Sequence, residues 1–162
     1  MTSERRVAID STVLVNFFTG GANDPPEWLE HSKWVMRAGE RGGHRLILPA
    51  LVIAELAGAG PVRGTDIPKK ERRTRINAVL EWLAASQFLV VDIDDRVARR
   101  AAELAIEHQL SGGDACVLAA AVSSRCAALY TWDDDLLKIE DQVSGLVVIE
   151  PQFQDEQTEI EF

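Results

Sequence analysis

The chain has 162 residues, 26 acidic against 17 basic, and a formal net charge of -9, a size that suits one domain with a real core. With 46% apolar and 27% charged residues and only 11 Gly and 6 Pro, the composition excludes a disordered or collagen-like chain. The acidic excess also weighs against nucleic acid held by bulk charge, because neutralising phosphates takes clustered Lys and Arg.

In chain order, a short apolar strand is predicted over Arg6 to Asp10, then a helix over Thr12 to Phe18. A helix over Glu27 to Glu40 follows the start signal Pro25-Pro26, and a strand follows over Arg45 to Leu48. Pro49 opens a helix over Ala50 to Gly58, and Pro68 opens another over Lys69 to Ser86, whose packing face is Ile76, Val79, Leu80 and Leu83. Then come a strand over Phe88 to Ile93, a helix over Asp94 to Gln109 packing through Val97, Ala101, Leu104 and Ala105, and a helix over Ala115 to Ser124. Strands over Ala128 to Trp132 and Leu146 to Ile149 close the pattern. Alternating strands and helices with continuously apolar strands predict an α/β fold with a parallel sheet covered on both faces. Residues 1–150 are read as the domain and 151–162 as an acidic tail.

No apolar run approaches the roughly 18 to 20 residues of a membrane span. Met1 to Arg6 lacks the apolar stretch of a secretory leader, so a cytoplasmic protein with no membrane contact is expected. Cys116 and Cys126 have neither metal-finger nor disulfide spacing and are expected as buried thiols. His31 and His44 stand alone, and His108 reads as a partner for a helix C-terminus, so zinc is not expected.

Ligands of an open parallel sheet gather at the carboxyl ends of its strands, which singles out three acids, and a carboxylate alone among apolar helix residues, which wants a partner, adds a fourth. Asp10 closes the first strand, Asp133 follows the fourth, Asp114 follows Ser111-Gly112-Gly113 ahead of a helix, and Glu55 stands alone in the apolar segment Ala50 to Ala57. Each has a plainer reading: Asp10 and Asp114 as N-caps, Asp133 as the cap of a short helix, Glu55 as an exposed helix residue. If the four converge, two carboxylates about 4 Å apart repel by about 4 kcal/mol at an effective dielectric of about 20, and a cation must relieve this. Oxygen ligands without His or Cys select Mg²⁺ or Mn²⁺. A metal so held suits hydrolysis of a phosphodiester.

The ordered segments Val7-Ala8-Ile9-Asp10-Ser11-Thr12, Leu51-Val52-Ile53-Ala54-Glu55-Leu56, Ser111-Gly112-Gly113-Asp114-Ala115 and Thr131-Trp132-Asp133 resemble the PIN domain, and more narrowly its VapC-type ribonuclease toxins. The likeness runs from Val7 to about Ile149. It implies a three-layer α/β/α fold with a central parallel sheet of about five strands and a Mg²⁺- or Mn²⁺-dependent endoribonuclease. It implies Asp10, Glu55, Asp114 and Asp133 as catalytic and metal-binding residues, with Thr12 and Thr131 as supporting hydroxyls. A cognate antitoxin and a homodimer are the implied protein partners. Relatives often carry an acid six positions after the first Asp; this chain has Asn16 there, which leaves a further ligand open.

For an RNA substrate, one basic cluster stands out. Arg63, Lys69, Lys70, Arg72, Arg73 and Arg75 face only Asp66 and Glu71 between Pro61 and Arg75. It reads either as a solvated helix face or as a rim that positions phosphates. Two other functions compete with the nuclease. One is a PIN-like RNA-processing or non-catalytic binding module. The other is a Mg²⁺-dependent phosphatase, disfavoured because Ser11-Thr12 follows Asp10 where that chemistry wants a second Asp two residues on.

Overall fold

The computed structural model describes residues 4–139, 141 and 143–152; the expected tail lies outside the described residues from 153 onward. The first strand, β1 (Arg6–Ile9), leads into α1 (Ser11–Phe18) and α2 (Pro26–Glu40). Next come β2 (Arg45–Pro49), α3 (Ala50–Gly58), a short α4 (Gly60–Arg63) and α5 (Lys69–Ala85). The second half is β3 (Leu89–Val91), α6 (Asp95–His108), α7 (Gly112–Ser123), β4 (Ala128–Tyr130), α8 (Asp134–Leu137) and β5 (Val147–Ile149).

The five strands form one parallel sheet in the order β3-β2-β1-β4-β5. Val7 to Ile9 of β1 and all three residues of β4 are buried, which requires cover on both faces of the sheet. The chain leaves β1 towards β2 and β3, then crosses back to lay β4 on the other side. That reversal opens a crevice beyond the carboxyl ends of β1 and β4.

Local signals explain most boundaries. Proline stands at or just before the first residue of α2, α3 and α5, where its missing N–H costs nothing. Asp94 caps α6 through a 2.8 Å bond from the Val97 N–H, and Gln109 ends that helix in the left-handed region. His108 sits in the last turn, as expected of a helix-dipole partner.

Four expectations need correction. The α7 helix begins at Gly112 rather than Ala115, because Ser111 caps it, so Asp114 lies inside the first turn and not ahead of it. The run Phe88 to Ile93 yields only three strand residues, since β3 is an edge strand paired on one side. Leu80, placed on the packing face of α5, is 38% exposed; Val79 and Leu83 are buried and Ile76 packs at the margin. Cys116 is half-buried, unlike the fully buried Cys126. No helix among the described residues is long and apolar enough to cross a membrane.

The α7 helix is the central element of the core: it packs on α6, α3, β2 and β4, and Leu118 on it is wholly buried. Truncation there leaves a cavity that packed neighbours fill only in part. Leu118→Ala should lower the unfolding free energy by about 2 to 5 kcal/mol, read by urea denaturation.

Candidate active site

The Asp10 side chain is 3% exposed and makes no cap bond to its helix, so the plain N-cap reading does not hold for it. Its Oδ2 instead accepts two hydroxyl protons, from Thr12 Oγ1 at 2.7 Å and Thr131 Oγ1 at 2.8 Å. Each hydroxyl has one proton to give, and both are spent on Asp10. The two oxygens therefore act as acceptors for backbone N–H groups, Thr12 for Trp132 and Thr131 for Asp133, each at 2.9 Å. These bonds tie the end of β1 and the start of α1 to the segment that follows β4.

Asp133 does cap α8: its Oδ1 accepts the N–H groups of Asp135 at 2.8 Å and Leu136 at 3.1 Å. The plainer reading and a place in the cluster are thus compatible, because only one carboxylate oxygen is used. Asp114 is held by Ser111, whose hydroxyl donates to Asp114 Oδ2 at 2.6 Å while accepting the Asp114 N–H at 3.2 Å. The hydroxyl thus caps α7 and orients the carboxylate at once; it is half of a capping box, with the Asp114 oxygen bonded to the Ser111 hydroxyl rather than to its N–H.

Glu55 comes to the same place from α3. A Cβ on Gly113 would lie 3.3 Å from Glu55 Oε1, so glycine there lets the start of α7 approach the carboxylate. Burial pushes the Glu55 carboxyl above its usual range, opposed by a hydrogen bond from the Ser11 side chain; the charges of Asp10, Asp114 and Asp133 raise it further. Burial likewise raises Asp114, with the Ser111 hydroxyl opposing and Asp133, Asp10 and Asp135 adding to the rise. The Cys116 thiol, raised by burial and by Glu55, flanks the group.

The structure therefore brings all four sequence-derived acids within electrostatic reach of one another at the crevice. Glu55 Oε2 is buried without a hydrogen-bond partner, an oxygen for which a cation would be a fitting neighbour. The donor set is entirely carboxylate, which suits a hard divalent ion. Among the described residues, no three His, Cys, Asp or Glu side chains already stand in a geometry that grips one ion.

Asn16 is committed elsewhere. Its amide donates to Asp24 Oδ2 at 2.8 Å and its oxygen accepts from Ser32 at 2.8 Å, which leaves it poorly placed as a further ligand. The basic residues divide. Arg63, Lys69, Arg72 and Arg73 line a groove of about 440 Å³ together with Ala57, Ile76 and Asn77, starting two residues beyond Glu55 on α3. Lys70 does not line it, and Arg75 pairs with Glu71 at 3.1 Å and lines a neighbouring groove.

Sequence reasoning missed the side-chain roles of Ser11, Ser111 and Ser32. The spacing of Ser111 and Asp114 carries a capping signal that could have revealed the second. Nothing local marks Ser32, whose partner Trp132 is 100 positions away.

A profile of the PIN domain matches residues 7–142. The chain belongs to the PIN-domain family. Solved structures agree on the fold. A toxin-antitoxin complex from Klebsiella pneumoniae aligns with a TM-score of 0.64 at 19% identity, covering 90% of this chain and 98% of the other. VapBC-5, a toxin-antitoxin system member from Mycobacterium tuberculosis, aligns with a TM-score of 0.56 at 21% identity, covering 90% and 98%. VapC20 from the same organism, described as a toxin that cleaves the sarcin-ricin loop, aligns with a TM-score of 0.60 at 14% identity, covering 80% and 91%. Among curated proteins no sequence match was found.

The raised Glu55 and Asp114 carboxyls mean that the folded PIN domain binds protons there more tightly than the unfolded chain. Their contribution to stability is full below the ordinary carboxylate range and is lost as pH rises from that range through the raised folded-state values. In chelator, Glu55→Gln should therefore raise the melting temperature at about pH 8, with the gain disappearing below about pH 4. A gain independent of pH would mean that charge is not its source.

Proposed function

We propose that this PIN-domain protein is a Mg²⁺- or Mn²⁺-dependent endoribonuclease, the toxin of a toxin-antitoxin pair. The observation that carries the reading is the set of four mutually coupled carboxylates at the crevice between β1 and β4, with both threonine hydroxyls spent on Asp10. Like-charged groups brought together at a cost to the fold are a mark of function rather than of packing. The Klebsiella pneumoniae relative, solved as a toxin-antitoxin complex, and the sarcin-ricin-loop-cleaving VapC20 support the substrate class and an antitoxin partner. Pairing of two copies belongs to the same proposal.

Asp10, Glu55, Asp114 and Asp133 would hold the ion, which when bound supplies activation of water and neutralisation of charge at the phosphodiester. Thr12 and Thr131 keep Asp10 oriented by donating to it. Ser111 does the same for Asp114, and the N-terminus of α7 favours negative charge at that position. The groove of Arg63, Lys69, Arg72 and Arg73 would hold the RNA backbone on its way to the carboxylates, while Ala57 and Ile76 give its floor an apolar character. Lys70 and Arg75 add to the local positive field. Positive charge is thus concentrated along one groove even though the whole chain is acidic.

Purified protein with Mn²⁺ should cut RNA, and Asp10→Asn or Asp114→Asn should reduce cleavage at least about 100-fold while leaving the melting profile cooperative. Wild-type rates in both variants would exclude the assignment. Replacing Lys69 and Arg73 together by Ala should raise KM for RNA with little change in kcat. It should also lower the salt dependence of binding by about 0.7 per lost phosphate contact.

A further inference from the structure

Beyond the carboxylates and their threonines, a second set of polar groups reaches the site from the interior. Trp132, between Thr131 and Asp133, is held at two points: its backbone N–H bonds Thr12 on α1, and its indole Nε1–H donates to Ser32 Oγ on α2 at 3.1 Å. The Ser32 hydroxyl passes its own proton to Asn16 Oδ1, and the Asn16 amide donates to Asp24. Ser32 is 0% and Asn16 1% exposed, so these polar groups are worth burying only because each is paired. The Trp132 ring is further stacked on Trp28, with centroids 4.3 Å apart and planes within 5°.

The chain Asp24–Asn16–Ser32–Trp132 therefore leaves the Thr131–Asp133 segment little freedom. Turning the indole away would break its bond to Ser32, unstack Trp28 and leave buried groups unpaired. Shifting the peptide between Trp132 and Asp133 would pull the Asp133 N–H off Thr131, and with it the hydroxyl that holds Asp10. Asn16 occupies the middle of this chain.

We infer that Ser32 and Asn16 are positioning residues, which act through the Trp132 indole to hold Asp133 and Thr131 in the arrangement that binds a divalent cation. This rests on the proposed metal-dependent activity. Partners one layer out from a metal change affinity or activity by about 10- to 100-fold when removed.

The test uses the full chain, with Mn²⁺ alone as the probe in calorimetry and RNA in kinetics. Ser32→Ala and Trp132→Phe should each weaken Mn²⁺ binding by about 10-fold and lower kcat, with KM for RNA unchanged. Because both remove the indole–Ser32 bond, the loss in the double variant should be smaller than the product of the two single losses. Asn16→Ala supplies the same readouts if Ser32→Ala does not fold. Wild-type Mn²⁺ affinity in the variants, or losses that multiply in the double variant, would overturn the inference while the nuclease reading stands. A wild-type protein that neither binds Mn²⁺ nor cuts RNA would overturn both.

Discussion

A buried carboxylate at the end of the central strand is the constraint around which this molecule is arranged. Asp10 follows β1, where three wholly buried apolar residues have carried the chain through the sheet, and it is itself almost fully enclosed. An ionised group there is tolerable only with strong partners. Thr12 is supplied locally, two residues on, but Thr131 comes from just beyond the neighbouring strand β4, so the satisfaction of Asp10 depends on β4 lying beside β1. Sheet order and site are in this sense one problem.

The same crossing sets the electrostatics. Because the chain leaves β1 on one side and returns as β4 on the other, the crevice collects acids from α3, α7 and the segment after β4. Their mutual repulsion opposes folding at neutral pH and is met by local devices: Ser11 on Glu55, Ser111 on Asp114, and backbone N–H groups on Asp133. Apolar burial of the α7 helix between sheet and outer helix gives the fold its margin against that repulsion.

Charge is divided in space rather than averaged. The carboxylates occupy the crevice, while Arg63, Lys69, Arg72 and Arg73 gather along α4 and α5 at the far side of α3. A net charge of -9 is therefore compatible with a locally positive approach to the site.

Much of this was legible in the residues. Proline and capping signals placed the helices, and continuous apolar runs indicated a parallel sheet, because these features act over a few positions or on burial alone. The four acids, singled out by order and setting, come within electrostatic reach of one another in the fold. Less legible were partnerships fixed at long range. Leu80 fits the helical period of α5 yet is left exposed, because the packed stripe is narrower than the pattern suggests. Cys116 lies on the half-open margin beside Glu55 for a similar reason. Asn16 reads alone as a departure from the family; only packing of α1, α2 and the segment after β4 makes it one link in a buried polar chain. The sequence by itself determined the elements, the sheet type and the identities of the acids, since local propensity and hydrophobic pattern suffice for those. The tertiary structure decided which oxygen each hydroxyl serves, which basic residues share a groove and how Trp132 is braced, because those depend on distances between segments up to 121 positions apart.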